Sequence, residues 1–131
     1  MTKCPESCQV GIAIVEDEKE LVKVYERAFK RKNIDICFIA YDGVEAVKLY
    51  IECTPRPHAI LMDYRLPIMN GVEATREILK FDPEAKIIFL SADVSVENEA
   101  LAAGAIIFLK KPASISDIVG SVEKATGMVP V

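Results

Sequence analysis

No stretch of this chain is long and apolar enough to span a bilayer. The longest apolar run, Ala100–Leu109, is about half of the ~20 residues a spanning helix needs. The N-terminus, MTKCPESCQV, lacks the apolar core of a secretory signal, and the next apolar run, VGIAIV, is short and ends in EDE. A cytoplasmic location is the expectation. Positive charge is also short: 16 Lys and Arg stand against 20 Asp and Glu, giving a net charge of −4 and a pI near 5.1. That argues against nucleic-acid binding, which rests mainly on cations neutralising phosphates. Histidine is reduced to His58, and the Cys4-x3-Cys8 pair has no zinc-ligand spacing, so a tetrahedral zinc site is not expected. Four cysteines without a secretory signal do not make a disulfide framework. Of the other two, Cys37 lies in the strand-like run ICFIAY and reads as a small buried hydrophobe, and Cys53 falls near the end of a helical pattern. Repeats, low-complexity tracts and internal linkers are missing too. What remains is 131 residues, 51% hydrophobic and 27% charged, enough for one domain with one core.

Short apolar runs recur at Val10–Val15, Ile36–Ala40, Ala59–Met62, Ile87–Leu90 and Ile106–Leu109. They are too continuous for burial on one side only and suit strands covered on both faces of a parallel sheet. Amphipathic stripes at i, i+3, i+4 spacing lie between them: Leu21, Val24/Tyr25 and Ala28/Phe29; Val44, Val47 and Tyr50/Ile51; Val72, Thr75 and Ile78/Leu79; Ile115, Ile118/Val119, Val122 and Ala125. Val96–Ala103 has the weakest helical pattern. Asp42, Asn70 and Ser114 each stand three residues before a carboxylate, the spacing of helix N-caps. Asn33, Pro55-Arg-Pro57, Asp82-Pro83 and Gly104 mark stops. Strand alternating with helix about five times predicts an α/β fold, a single-domain three-layer (βα)5 doubly wound parallel sheet.

In such sheets, ligands bind beyond the carboxyl ends of the strands. The residues there are Glu16, Asp17 and Glu18; Tyr41 and Asp42; Asp63; Ser91 and Asp93; and Lys110 and Lys111. The set contains no Gly-rich phosphate loop. Glu16, Asp17 and Asp63 in one cleft would repel, and some would hold protons. A hard divalent cation such as Mg²⁺, which prefers oxygen ligands, relieves that repulsion. Equally, Glu16 and Asp17 suit the positive end of the first helix, and both readings stay open. Asp63 follows AILM directly. Facing a metal and a lysine, it is a candidate nucleophile, able to take a phosphoryl group as an aspartyl phosphate. Such a transfer needs positioning and charge neutralisation, which Mg²⁺ and Lys111 would supply, with the Ser91 hydroxyl holding a phosphate oxygen.

This constellation resembles the receiver domain of two-component response regulators, in particular the chemotaxis receivers. The matching segments are VGIAIVEDE with Glu16-Asp17; AILMDYRLPIMNG with Asp63, Leu66-Pro67 and Gly71; IIFLSA with Ser91; and GAIIFLKKP with Phe108 and Lys111-Pro112. The match runs from about Val10 to Thr126. The resemblance implies a flavodoxin-like sheet of strand order 2-1-3-4-5. It also implies phosphorylation of Asp63 by a histidine kinase or histidine phosphotransfer protein. Mg²⁺ would be held by Asp17, Asp63, the Arg65 backbone carbonyl and, through water, Glu16. Ser91 and Lys111 would contact the phosphoryl oxygens. Phe108 would turn inward as Ser91 moves, and the surface of the fourth helix, fifth strand and fifth helix would change shape for a protein partner or fused output domain. The implied protein is not an enzyme beyond its own phosphorylation and slow autodephosphorylation, and is a monomer or a weak phosphorylation-dependent dimer. The family also implies a cis Lys111–Pro112 bond.

Several positions depart from the family's commoner residues: Glu16 for Asp, Ser91 for Thr, Phe108 where some members carry Tyr, and Ala113 where Phe is frequent. Arg65 and Asp93 are expected to approach across the cleft mouth and modulate the lifetime of the aspartyl phosphate. One rival is a Mg²⁺-dependent phosphatase, but Arg65 occupies the place of its second Asp, the general acid. Another is a non-phosphorylated receiver serving as a protein-interaction module. The expected boundaries are an N-terminal tail at 1–8, the receiver at 9–127 and a C-terminal tail at 128–131.

Overall fold

The structure is a computed structural model, and it describes residues 10–127. Five strands alternate with five helices among those residues: β1 (Gly11–Val15), α1 (Lys19–Arg31), β2 (Asp35–Ala40), α2 (Gly43–Glu52), β3 (Ala59–Asp63), α3 (Gly71–Phe81), β4 (Ile87–Ser91), α4 (Glu97–Ala103), β5 (Ile107–Lys110) and α5 (Ile115–Thr126). A short 3-10 turn, Val94–Val96, leads into α4. The five strands form one parallel sheet in the order β2-β1-β3-β4-β5. Cys4 and Cys8 lie outside the described residues.

The continuous apolar runs follow from burial on both faces. Alternate side chains of a strand point to opposite sides. Ala13, Val15, Ile60, Met62, Ile87 and Phe89 pack against α2, α3 and α4 through Ala46, Tyr50, Val72, Ile78 and Ala100. Ile12, Ile14, Leu61, Ile88 and Leu90 pack against α1 and α5 through Val22, Tyr25, Phe29, Ile118, Val119 and Val122. Every residue of β1, β3 and β4 is buried. The two edge strands are not covered in this way: β2 is half-buried except at Ala40, and β5 is half-buried up to the exposed Lys110. Cys37, on β2, is accordingly half-buried.

Two helix stripes differ from the sequence expectation. α1 buries Val22, Tyr25 and Phe29 and leaves Val24 exposed; α2 buries Ala46 and Tyr50 and leaves Val44 and Ile51 exposed. In both, a small or better-placed residue meets the sheet and a larger apolar neighbour does not. The caps form as predicted. Asp42, Asn70 and Ser114 accept from the backbone N–H of Glu45, Glu73 and Asp117. Each such cap is worth about 1 kcal/mol. Only Asn70–Glu73 closes a full capping box, because the Glu45 carboxylate accepts from Tyr41 N instead. The single histidine has a structural place: His58 Nδ1 accepts from Gly11 N at 3.1 Å, holding the start of β1. Lys111–Pro112 is cis, as the resemblance implies, and Thr54–Pro55 is cis as well.

At the end of the sheet opposite the strand carboxyl termini, a polar lock joins α2 to α3. The buried Tyr50 hydroxyl donates to Asp82 Oδ2 at 2.5 Å, and Arg56 pairs with the same oxygen at 3.5 Å while lying 4.7 Å over the Phe81 ring. The Tyr50 hydrogen bond holds the Asp82 carboxyl below its ordinary range.

Candidate phosphoacceptor site

The carboxyl ends of β1, β3, β4 and β5 bring Glu16, Asp17, Asp63, Ser91 and Lys111 into one cleft. Parallel register does this: each strand stops at the same level, so its next side chains share one edge of the sheet. Glu16, Asp63 and Ser91 are buried, while Asp17 is exposed. Lys111 is the central cation. Its Nζ lies 2.8 Å from Asp63 Oδ1 and 3.0 Å from Glu16 Oε1. The other Glu16 oxygen accepts from Glu18 N at 3.2 Å. The Lys111 backbone N–H donates to the Ser91 carbonyl at 2.9 Å, locking β5 to β4 at the cleft.

One lysine does not balance this site. Burial raises the Glu16 and Asp63 carboxyls above their ordinary range, and neighbouring carboxylates push the same way: Asp63 on Glu16, and Asp17 on Asp63. Lys111 opposes both shifts without cancelling them. Its own ammonium is held above the usual lysine range by hydrogen bonds to Asp63 and Glu16, against the cost of burial. Glu16, Asp17 and Asp63 each offer a carboxylate oxygen within 4.8 Å of the others. An all-oxygen, net-negative donor set in which burial disfavours the charged form of Glu16 and Asp63 fits a hard divalent cation such as Mg²⁺.

The loop after β3 is held by close packing. A side chain on Gly71 would overlap the Asp63 carbonyl oxygen, so only glycine lets α3 begin there. The Gly71 N–H donates to the Tyr64 carbonyl at 2.9 Å. Ile68, in the same loop, has φ +71° and is 82% exposed. A β-branched residue is a genuine outlier in that region.

Ser91 Oγ accepts from the Asp93 N–H at 3.0 Å. Phe108 is half-buried and stacked on Phe89, with ring centroids 6.1 Å apart. The expected approach of Arg65 and Asp93 is not an ion pair. Asp93 Oδ1 instead accepts from the backbone N–H and hydroxyl of Ser95, capping the 3-10 turn, and Arg65 acts on Asp93 only weakly through space. The i+2 hydroxyl of Ser95 reaches Asp93 with no loop closure, whereas Arg65 lies across the cleft. Sequence reasoning placed Tyr25 only in a helix stripe. In the fold it is buried under the site, where Lys111, Glu16 and Asp63 all act on its hydroxyl and burial pushes it up to about 12.

The profile of the response regulator receiver domain matches residues 12–123 of this chain. The chain belongs to the response regulator receiver family. Among curated relatives, the chemotaxis protein CheY of Thermotoga maritima is 34% identical over 117 residues, covering 88% of this chain and 96% of the relative. The CheX-CheY-BeF3-Mg complex from Borrelia burgdorferi is similar in structure, with a TM-score of 0.85, 27% identity and 92% of each chain covered. The receiver domain of the sensor histidine kinase PA1611 from Pseudomonas aeruginosa, with magnesium coordinated in its active-site cleft, matches with a TM-score of 0.82 and 29% identity, over 92% of this chain and 99% of that one. The receiver fold, a flavodoxin-like sheet of order 2-1-3-4-5, is thus the fold of this chain. None of its described helices is long and apolar enough to cross a membrane.

Proposed function

We propose that this receiver is a phosphorylation-activated switch with Asp63 as its phosphoacceptor. The observation that carries the reading is Lys111 Nζ bridging Asp63 and Glu16 within a buried, net-negative carboxylate cluster. A carboxylate oxygen of Asp63 attacks the phosphorus of a phosphohistidine on a kinase or phosphotransfer protein. An O–P bond forms, the N–P bond breaks, and the imidazole leaves with its electron pair. Lys111 and the Ser91 hydroxyl hold the phosphoryl oxygens. Asp17, Asp63, the Arg65 backbone carbonyl and, through water, Glu16 would hold Mg²⁺, which when bound neutralises charge on the transferring group.

The new charge, about −1.5 to −2, has to be accommodated beside Ser91. Ser91 moves toward it, and Phe108, now packed on Phe89, turns into the vacated space. β5 then carries the change to the surface of α4, β5 and α5, where Leu101 and Ile106 are exposed for a protein partner or an attached output domain. The Borrelia CheY relative is seen with CheX, a protein partner of this general kind. Arg65 and Asp93 flank the cleft without pairing, and each adjusts water access to the aspartyl phosphate separately. The domain spans 9–127, and its location is cytoplasmic.

Incubation with Mg²⁺ and a small phosphodonor, read by intact mass, is expected to add one phosphoryl group to the wild type and none to Asp63→Asn. Equal labelling of the two proteins would remove Asp63 from this role. The Arg65→Ala and Asp93→Ala variants are expected to change the rate of phosphoryl loss, and unchanged rates in both would remove them as lifetime modulators.

A further inference from the structure

We infer that a pocket beside Lys111 seats the acyl tail of a small phosphodonor, so that Asp63 is phosphorylated faster by longer acyl phosphates than by acetyl phosphate, an assignment that rests on Asp63 being the phosphoacceptor. A cavity of about 420 Å³ opens where α1 meets the loops after β4 and β5. Leu21 and Tyr25 of α1 line it, with Ala92, Pro112 and Ala113 from the two loops. Lys111 lies on its border.

Two residues join this pocket to the carboxylate cleft. Lys111 Nζ is 2.8 Å from Asp63 Oδ1, and Ala92 directly follows the buried Ser91. The pocket therefore starts where the phosphoryl oxygens are to be held. Ala92 and Ala113 leave the space open, since neither side chain extends past its Cβ. Ala113 is itself packed against the core under α1 and α5, so its backbone is fixed as one wall.

The lining selects the tail. Lys111 and Glu18 are the only charged residues in it among those described, and they carry opposite signs. The Tyr25 hydroxyl stays neutral, because burial pushes it up to about 12. The rest is apolar. Such a surface has nothing to hold on a donor without a tail, whereas it takes an aliphatic chain out of water. A tail ending in a second carboxylate meets Glu18, so the tail is uncharged.

The chemistry balances without a further reactant. An Asp63 carboxylate oxygen attacks phosphorus and forms an O–P bond. The bond from phosphorus to the acyl oxygen breaks, and the carboxylate leaves with the electron pair. It leaves as a stable anion near neutral pH, so no proton has to be supplied. Attacking and leaving oxygens stand roughly in line across phosphorus. The acyl group thus departs on the side away from Asp63, toward the mouth that Ala92 and Lys111 share with the pocket.

The test measures phosphorylation of the full chain by intact mass, with MgCl₂ and subsaturating phosphoramidate, acetyl, propionyl or butyryl phosphate. Acetate, propionate and butyrate are leaving groups of nearly equal basicity, so rate differences among the acyl phosphates report the tail. Each buried methylene is worth about fourfold, and with the pocket open on one side butyryl phosphate is expected to react about tenfold faster than acetyl phosphate. Ala113→Phe fills the pocket and is expected to bring that ratio within about twofold. The ratio compares two donors on one protein, so a general loss of activity does not move it. Should Ala113→Phe fail to fold, the length series on the wild type decides alone. Labelling by phosphoramidate with equal rates along the acyl series would overturn the inference and leave the phosphoacceptor standing, with the pocket free for a side chain of a partner protein. A tail preference that survives in folded Ala113→Phe would overturn it as well. Absence of labelling by every donor would remove the phosphoacceptor and this pocket's role together.

Discussion

Replacing Lys111 with Met keeps the length of the side chain and removes the one cation among the described residues that contacts both buried carboxylates. Its Nζ is 2.8 Å from Asp63 and 3.0 Å from Glu16. At an effective dielectric near 20, each contact is a gross attraction of about 6 kcal/mol. Most of that repays the burial of the charges. Removing one partner of such a site typically costs about 3–5 kcal/mol, because an uncompensated charge stays behind. That is a large share of the 5–15 kcal/mol by which domains of this kind are stable. The loss depends on pH in a defined direction. Glu16 and Asp63 are already raised, so the folded state holds their protons more tightly than the unfolded chain does. Their contribution is fully present below the unfolded carboxylate range and falls as pH rises through the folded values. Without Lys111 those values move higher still. Lys111→Met is therefore expected to lose about 3–5 kcal/mol in urea unfolding near neutral pH, to recover much of it in acid, where the raised carboxyls take up protons, and to recover part of it with saturating MgCl₂ at neutral pH. A loss below about 1 kcal/mol at neutral pH, or an equal loss at both pH values, would refute the account of Lys111 as the counter-charge of a strained cluster.

Other substitutions test separate parts of the structure. Asp63→Asn removes a like charge from Glu16 and leaves Lys111 its second partner; without Mg²⁺ it is expected to unfold at higher urea than the wild type, with no gain from MgCl₂, whereas a wild type at ten times its Kd gains about 1.4 kcal/mol. Thr75 is fully buried on α3 and its hydroxyl has no hydrogen-bond partner among the described residues, so Thr75→Val is expected to raise stability by about 1 kcal/mol in the same assay. Ile68→Gly relieves a left-handed β-branched residue by about 1 kcal/mol, which the entropy of the unfolded glycine offsets in large part, so calorimetry is expected to show no loss of stability. Tyr50→Phe deletes the hydrogen bond that lowers the Asp82 carboxyl. It is expected to cost about 1–2 kcal/mol at neutral pH and less in acid, because a lowered carboxyl contributes stability above its unfolded value and loses it as pH falls.

Five apolar runs, three capping signals and four stop signals are local features, and each corresponds to an element of the fold or to one of its ends. Asp42, Asn70 and Ser114 cap the helices they were expected to cap, because a cap needs only the next three residues. The stripes were legible to within one residue of rotation. The error at Val22 against Leu21, and at Ala46 against Val47, arises because the sheet chooses which helix face it covers, and hydrophobicity alone does not tell a buried aliphatic residue from its half-buried neighbour. The edge strands were read as fully covered because their composition matches that of β1, β3 and β4; only the strand order makes them edges.

The sequence by itself determined which residues stand at the carboxyl ends of the strands, since strand length and register follow from runs of Ile, Val and Leu. It therefore named Glu16, Asp17, Asp63, Ser91 and Lys111, residues separated by up to 95 positions, as one site. The tertiary structure decided how those charges are shared. Lys111 bridges two carboxylates, Asp93 turns back to Ser95 and leaves Arg65 unpaired with it, and Tyr25 lies beneath the cleft. Distances of a few ångströms between side chains on different elements set these outcomes, and Coulombic and packing energies vary steeply over that range, while periodicity along one chain carries no record of it.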